Sequence, residues 1–352
     1  MIELQTLLKE LISAPGISGY ESGVRPVIEK AWKGITDDLS VSRLGSLHGL
    51  QRGTGPEPRP GILVAVHMDA IGLMVNAVLD GFLRVTSVGG IDVRVLPGQM
   101  VTVHGRRDLP GMVVPTPARL LPSSAQGGVV PLEYLLVDVG LLPGEVAGLV
   151  RPGDTVSFAQ PPIETTAETL IGHTLDNRAS IAALTHCLEI LHSRPHAWDV
   201  WSVATAQEEV TLGGGYTSAF QLHPNLAISI DVTFGSSPGS PSHMTFPIGK
   251  GPTLIWGPNV HPYLFNTFKN LAEKLEIPFS IEPTPLNSGT DSVAMQVVLE
   301  GIPNMVVGIP LRYMHTPVEM IALKDLTRAG RLVAEFIAQL DEDFMDKLSW
   351  DD

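Results

Sequence analysis

Residues 62–66, Ile-Leu-Val-Ala-Val, form an unbroken apolar run that follows a Pro60-Gly61 break. A short run of this kind bounded by turn residues reads as a strand buried on both faces, and such strands belong to parallel sheets. His67, Met68 and Asp69 come directly after it. In open α/β sheets the ligand site lies outside the carboxyl ends of the strands, so a histidine and an acid emerging there point to chemistry. Later segments repeat the pattern: residues 200–205 run into Glu208 and Glu209, residues 226–230 into Asp231, and residues 305–309 through Arg312 and Tyr313 to His315.

The remaining periodicities supply the frame for these strands. The chain has 352 residues, more than the roughly 250–300 at which a single core stops growing, so two domains are expected. Residues 4–12 have helical spacing and stop at Pro15-Gly16, and Ser18-Gly19-Tyr20-Glu21 fits a capping box that opens a second helix. Residues 38–50 read as a short strand and turn. From about 76 to 160 the texture changes to short Val-rich runs separated by glycine and proline, at 82–88, 93–96, 100–104, 112–114, 134–137 and 155–158. Closely spaced strands of this type predict a small β-barrel or sandwich.

After residue 160 the α/β texture returns. Asp176 leads a helix with Ile181, Leu184, Leu188 and Leu191 on one stripe. A helix over 262–275, a loop at 287–291 that caps a short helix, and a final helix over 323–340 complete the pattern. The expected fold class is therefore α/β, a mixed and largely parallel sheet flanked by helices, with an inserted β-rich domain. The sheet domain is assembled from residues 1–75 and 161–352, and the insert spans 76–160.

Bulk properties exclude some partners. The net charge of −14 is not offset by any Lys/Arg cluster, which argues against nucleic acid and against an anionic membrane. No apolar run approaches the roughly 20 residues of a membrane helix, and the N-terminus lacks a cationic start and apolar stretch. Cys187 is the single cysteine, in keeping with a reducing compartment, so a cytoplasmic location is expected.

The polar set at the strand ends is His67, Asp69, Asp176, Glu208, Glu209, Asp231 and His315. Imidazoles with carboxylates and no thiol match a zinc, cobalt or manganese centre. The set is too large for one catalytic ion, whereas two ions about 3.5–4 Å apart, sharing a bridging carboxylate and a bridging water, would use all of it. In extended chain Glu208 and Glu209 point to opposite sides, so one should ligate while the other acts as general base. Asp69 is placed to accept the second imidazole N–H of His67. Taken singly, each residue has a structural reading: a hydrogen-bonded strand-end histidine, a solvated acid pair, a helix N-cap, a turn aspartate. Their convergence on one sheet edge favours the metal reading.

Six motifs, His67-Met68-Asp69-Ala70-Ile71-Gly72, Leu175-Asp176-Asn177-Arg178, Ala206-Gln207-Glu208-Glu209-Val210, Ile230-Asp231-Val232-Thr233, Ser288-Gly289-Thr290-Asp291 and Arg312-Tyr313-Met314-His315-Thr316-Pro317, resemble those of the glutamyl-aminopeptidase family, which includes the tetrahedral TET aminopeptidases. Leu96-Pro97-Gly98-Gln99 and Arg151-Pro152-Gly153-Asp154 in the insert extend the resemblance. It implies a phosphorylase/hydrolase-like metallopeptidase domain with a β-barrel insert used in dimer contacts. It also implies two divalent ions, zinc or cobalt with manganese as an alternative. One ion would be held by His67 and Asp231, the other by Glu209 and His315, with Asp176 bridging. Glu208 matches the general base and Asp69 the acid that supports the histidine.

The implied activity is removal of N-terminal residues from peptides with a free amine, through a bridging hydroxide. The implied assembly is dimers built into a dodecamer. Ala70, Asn177 and Thr211 depart from the common family pattern beside ligand positions. A deacylase or other hydrolase on the same dinuclear scaffold, and a binding protein with a silenced site, are the competing readings.

Overall fold

The computed structural model describes residues 3–350. The apolar runs form the centre of an eight-stranded sheet, in the order Asp38–Val41, Leu47–Gln51, Asp199–Thr205, Gly61–His67, Leu226–Phe234, Asn304–Leu311, Thr253–Trp256 and Ser280–Pro283. The four strands from Asp199–Thr205 to Asn304–Leu311 are mutually parallel, so their carboxyl ends share one edge. Antiparallel neighbours flank this parallel core on both sides.

Both faces of the core are covered, which is why its strands read as continuous apolar runs rather than alternating ones. The helix Leu175–His192 lies against one face, with Leu4–Ser13 and Leu323–Ile337 packed on it. Gly213–Leu222 and Asp291–Gln296 cover the other face. None of the described helices is long and apolar enough to cross a membrane.

Strands from Gly72 to Phe158 close into a six-stranded barrel with its own core of Leu73, Val85, Val101, Val113 and Val137. The barrel's first strand, Gly72–Leu79, begins a few residues after His67, so the strand Gly61–His67 runs almost directly into it. Residues 93–96 differ from expectation. Asp92 accepts the Arg94 backbone N–H at 3.0 Å and starts a 3-10 turn at Val93–Val95. The capping box at Ser18 is also absent. Glu21 instead accepts from the Gly19 amide at 2.7 Å, and the α-helix begins later, at Arg25–Trp32 with Pro26 in its first turn.

One buried cation ties the N-terminal segment to the sheet edge. Arg178 is fully buried and donates to the carbonyls of Leu11, Ala14, Gly16 and Met68. A Cβ at Gly16 would lie 2.7 Å from its Nη2, so a glycine is required where the loop meets the guanidinium. Carbonyls left without a donor in a dry interior cost about 1–3 kcal/mol each. Arg178→Met is therefore expected to lower stability by about 3 kcal/mol or more, seen as an earlier calorimetric unfolding transition; a transition within a degree of wild type would contradict this staple role.

Candidate metal centre

Register brings the ligand candidates into line. Thr205 is level with His67 on the neighbouring strand. Leu226 to Ser229 pair with Ile62 to Ala65, and continuing that offset sets Asp231 level with His67 as well. Glu208 and Glu209 follow Thr205, His315 follows Leu311, and Asp176 enters from the start of the covering helix. The strand ends thus converge as the sequence pattern predicts.

The side chains meet closely. His67 Nε2 is 3.2 Å from Asp176 Oδ1, 3.7 Å from Asp231 Oδ1 and 3.8 Å from Glu208 Oε2. His315 Nε2 is 3.3 Å from Asp176 Oδ2 and 3.5 Å from Glu209 Oε2. Asp176 therefore turns one carboxylate oxygen toward each imidazole. Two overlapping groups, His67 with Glu208 and Asp231, and His67 with Asp176 and Glu209, have donor atoms within 4.8 Å of one another. Both centre on buried residues at the end of the same cavity, which measures about 400 Å³.

Crowding perturbs every acid in the cluster. Burial, with the Asp176 charge, pushes Glu209 up to about 8, and burial pushes Asp231 to about 8 against the opposing pull of His67. Glu208 is driven by burial to about 10. Asp176 goes the other way: burial raises it, but its bonds to His315 and His67 outweigh that and hold it below the ordinary range. His67 is pulled down by burial yet ends well above its usual value because Glu208, Asp176 and Asp231 face it. Glu209 Oε1 is buried with no protein partner. Nitrogen and oxygen donors with excess negative charge and an unused buried oxygen fit divalent cations, whose charge would relieve this repulsion.

The backbone is held by two further buried acids. Asp69 accepts the amides of Glu208 at 2.9 Å and Glu209 at 3.1 Å. Its carboxylate is thereby engaged, and His67 Nδ1–H donates instead to the Asp69 carbonyl at 3.1 Å, with the carboxylate oxygen 3.7 Å away. The expected carboxylate–imidazole bond is thus replaced by a backbone one. Glu208 and Glu209 are also not extended, since they form a single helical turn after Gln207, whose φ is +60°. Glu319, missed by sequence reasoning, accepts the amides of Asp176 at 3.1 Å and His315 at 2.9 Å. A lone acid after Thr316-Pro317-Val318 carries no distinguishing sequence signal. Thr290 caps the helix Asp291–Gln296 as expected, accepting from the Ser292 amide at 3.3 Å.

A parallel α/β sheet with imidazoles and carboxylates gathered at its carboxyl edge defines a metal-dependent hydrolase class. The model of the M42 glutamyl aminopeptidase family matches residues 45–332, and the chain belongs to that family. It is an aminopeptidase of metallopeptidase type, a hydrolase acting on peptides. The lysyl aminopeptidase of Pyrococcus furiosus is 34% identical over 342 residues, covering 95% of this chain and 96% of that protein. A TET aminopeptidase from a marine-sediment Thaumarchaeota archaeon superposes with a TM-score of 0.91 at 28% identity, covering 99% of each chain. The Pyrococcus horikoshii TET1 peptidase, which assembles into a tetrahedron or a large octahedral shell, gives 0.84 at 29% identity, covering 96% of this chain and all of that one.

Metal that binds only the folded state raises stability by about 4 kcal/mol at a thousandfold excess over Kd. Added zinc or cobalt should accordingly raise the unfolding temperature of apo-protein. If Glu209 and Asp231 are ligands they must shed protons to bind, so the gain should shrink as the pH falls below about 8. Asp176→Asn should abolish most of it, and an undiminished shift in that variant would remove Asp176 from the ligand set.

Proposed function

We propose that the site holds two divalent ions, zinc or cobalt with manganese as an alternative, and removes N-terminal residues from peptides. The observation that carries this reading is Asp176, whose two oxygens face different imidazoles, each of which has a second acid of its own. His67 with Asp231 would hold one ion, His315 with Glu209 the other, and Asp176 would bridge. Bound there, the ions would acidify water and polarise a carbonyl.

The protein groups divide the remaining work. Glu208 is the general base: it takes a proton from the attacking water and passes it to the leaving amine. Burial raises its proton affinity, and bound cations would lower it again toward the range a general base needs. Asp69 fixes the turn that aims Glu208 and Glu209, and Glu319 fixes the backbone of Asp176 and His315. The free amine of the substrate, rather than a blocked one, is expected to be required.

The same reading extends to assembly and location. The barrel, whose strands run from Gly72 to Phe158 and fill the insert expected over 76–160, is proposed as a dimer contact, with dimers forming a dodecamer. A cytoplasmic location accords with the buried, unpaired Cys187.

Glu208→Gln should retain both metals by elemental analysis while losing about 100- to 10,000-fold in turnover of amino-acid anilides. Wild-type turnover by that variant would refute its assignment, and rapid release of acetate from N-acetyl amino acids would favour a deacylase. Light scattering should give a mass near twelve chains of 37.7 kDa, and a monomer would remove the proposed assembly.

A further inference from the structure

The cavity that contains the ligand candidates has a second acid on its wall, outside the metal cluster. Glu282 lies on the outermost strand, Ser280–Pro283, and its half-buried side chain reaches back across the sheet. Its Oε1 accepts from Thr233 Oγ1 at 2.8 Å and its Oε2 from Thr253 Oγ1 at 2.7 Å. To get there it passes over Gly308: a Cβ at that position would lie 2.2 Å from Thr253 Oγ1 and 3.3 Å from Glu282 Oε2. The strand between the two threonines thus lacks a side chain where the carboxylate sits.

One hydroxyl donates to each oxygen of this carboxylate, which leaves acceptor sites free and its charge unneutralised. Burial raises its proton affinity, and the threonine bonds only partly offset that. No lysine or arginine lines the cavity, and Glu282 forms no ion pair among the described residues. A partly desolvated acid facing an open cavity is stabilised by an incoming cation.

Distance and lining indicate which cation. Thr233 is two residues beyond Asp231 on one strand, so both side chains share a face and are roughly 7 Å apart. The cavity is lined by apolar side chains, among them Ile255, Val293 and Met314, together with Glu282. A cavity that offers apolar surface and a carboxylate matches the aliphatic stem and terminal ammonium of lysine.

We propose that Glu282 makes this enzyme select peptides whose first residue is basic, lysine above all, and disfavour the acidic residue for which the family is named. The proposal rests on the aminopeptidase reading above, and it places the side chain of the first residue between Asp231 and Glu282. The relative named lysyl aminopeptidase accords with it, but the assignment stands on this chain's own carboxylate.

The test uses the metal-loaded enzyme with lysyl, leucyl and glutamyl anilides. Wild type should show the highest kcat/KM for the lysyl substrate and the lowest for the glutamyl one. In Glu282→Gln the lysyl-to-leucyl ratio should fall about 10- to 100-fold, the range for losing a hydrogen-bonded charge pair. An unchanged ratio overturns the role of Glu282. A second measurement needs no variant: calorimetric titration of wild type with free lysine and with norleucine, its uncharged counterpart, should show clearly tighter binding of lysine, and equal affinities overturn the proposal. Failure to cleave any anilide bearing a free amine would overturn the aminopeptidase reading itself, and this proposal with it.

Discussion

Four carboxylates crowded at one sheet edge around two imidazoles repel one another, and the structure is arranged around containing that repulsion. The acids fall into two kinds by their partners. Asp69 and Glu319 are almost wholly buried, yet each grips a pair of backbone amides. Amide donors aimed at a carboxylate stabilise its charge without a counter-ion. Asp231, Glu208 and Glu209 have no comparable amide pair; burial raises their proton affinity, as it also raises that of Glu319 against the pull of its two amides. The first kind organises loops. The second kind is left available to cations, and that division separates scaffold from chemistry.

Much of this was legible because parallel sheets impose a rule on sequence. A strand buried on both faces must be apolar until it leaves the sheet, so His67, Asp231, Glu208 and Glu209 stand out as polar residues at or just beyond the ends of such runs. The barrel was legible from its turn residues and short alternating strands. What escaped notice depended on backbone direction rather than side-chain pattern. Glu319 matters because it faces two amides from distant segments. Asp69 lies beside His67, but its carboxylate turns to the Glu208 turn, where two converging N–H groups offer better geometry than one imidazole. The run at 93–96 looks like a strand by composition, yet the Asp92 side chain competes for the backbone and tips it into a 3-10 turn.

Arg178 shows the converse case, in which a charge serves packing. Its hydrogen bonds all go to carbonyl oxygens, and burial lowers its proton affinity to about 10 against the pull of Asp69, Glu319 and Glu21, still far above neutrality. A permanently charged fork is the one side chain able to satisfy four carbonyls from the first helix, the following loop and the segment after His67. The N-terminal segment is thereby pinned to the strand that begins the site.

A single register governs both catalysis and selectivity. Asp231, Gly308 and Thr253 lie in one row across three strands, and Thr233 follows Asp231 on the same face. Slipping this register by one residue would turn Asp231 and Thr233 away together, so the metal edge and the pocket wall cannot be lost independently. Glu282 occupies a different mechanical position. It is on the outermost strand, where a substitution disturbs few neighbours, and it reaches the cavity only because Gly308 leaves a gap. The proposed ligands therefore sit at or just beyond the central strands and on the helix that covers them, while the residue proposed to meet the substrate side chain sits where the sheet can best tolerate change. On this scaffold, preference for a basic, neutral or acidic first residue can shift through an edge strand and one glycine without moving a metal ligand.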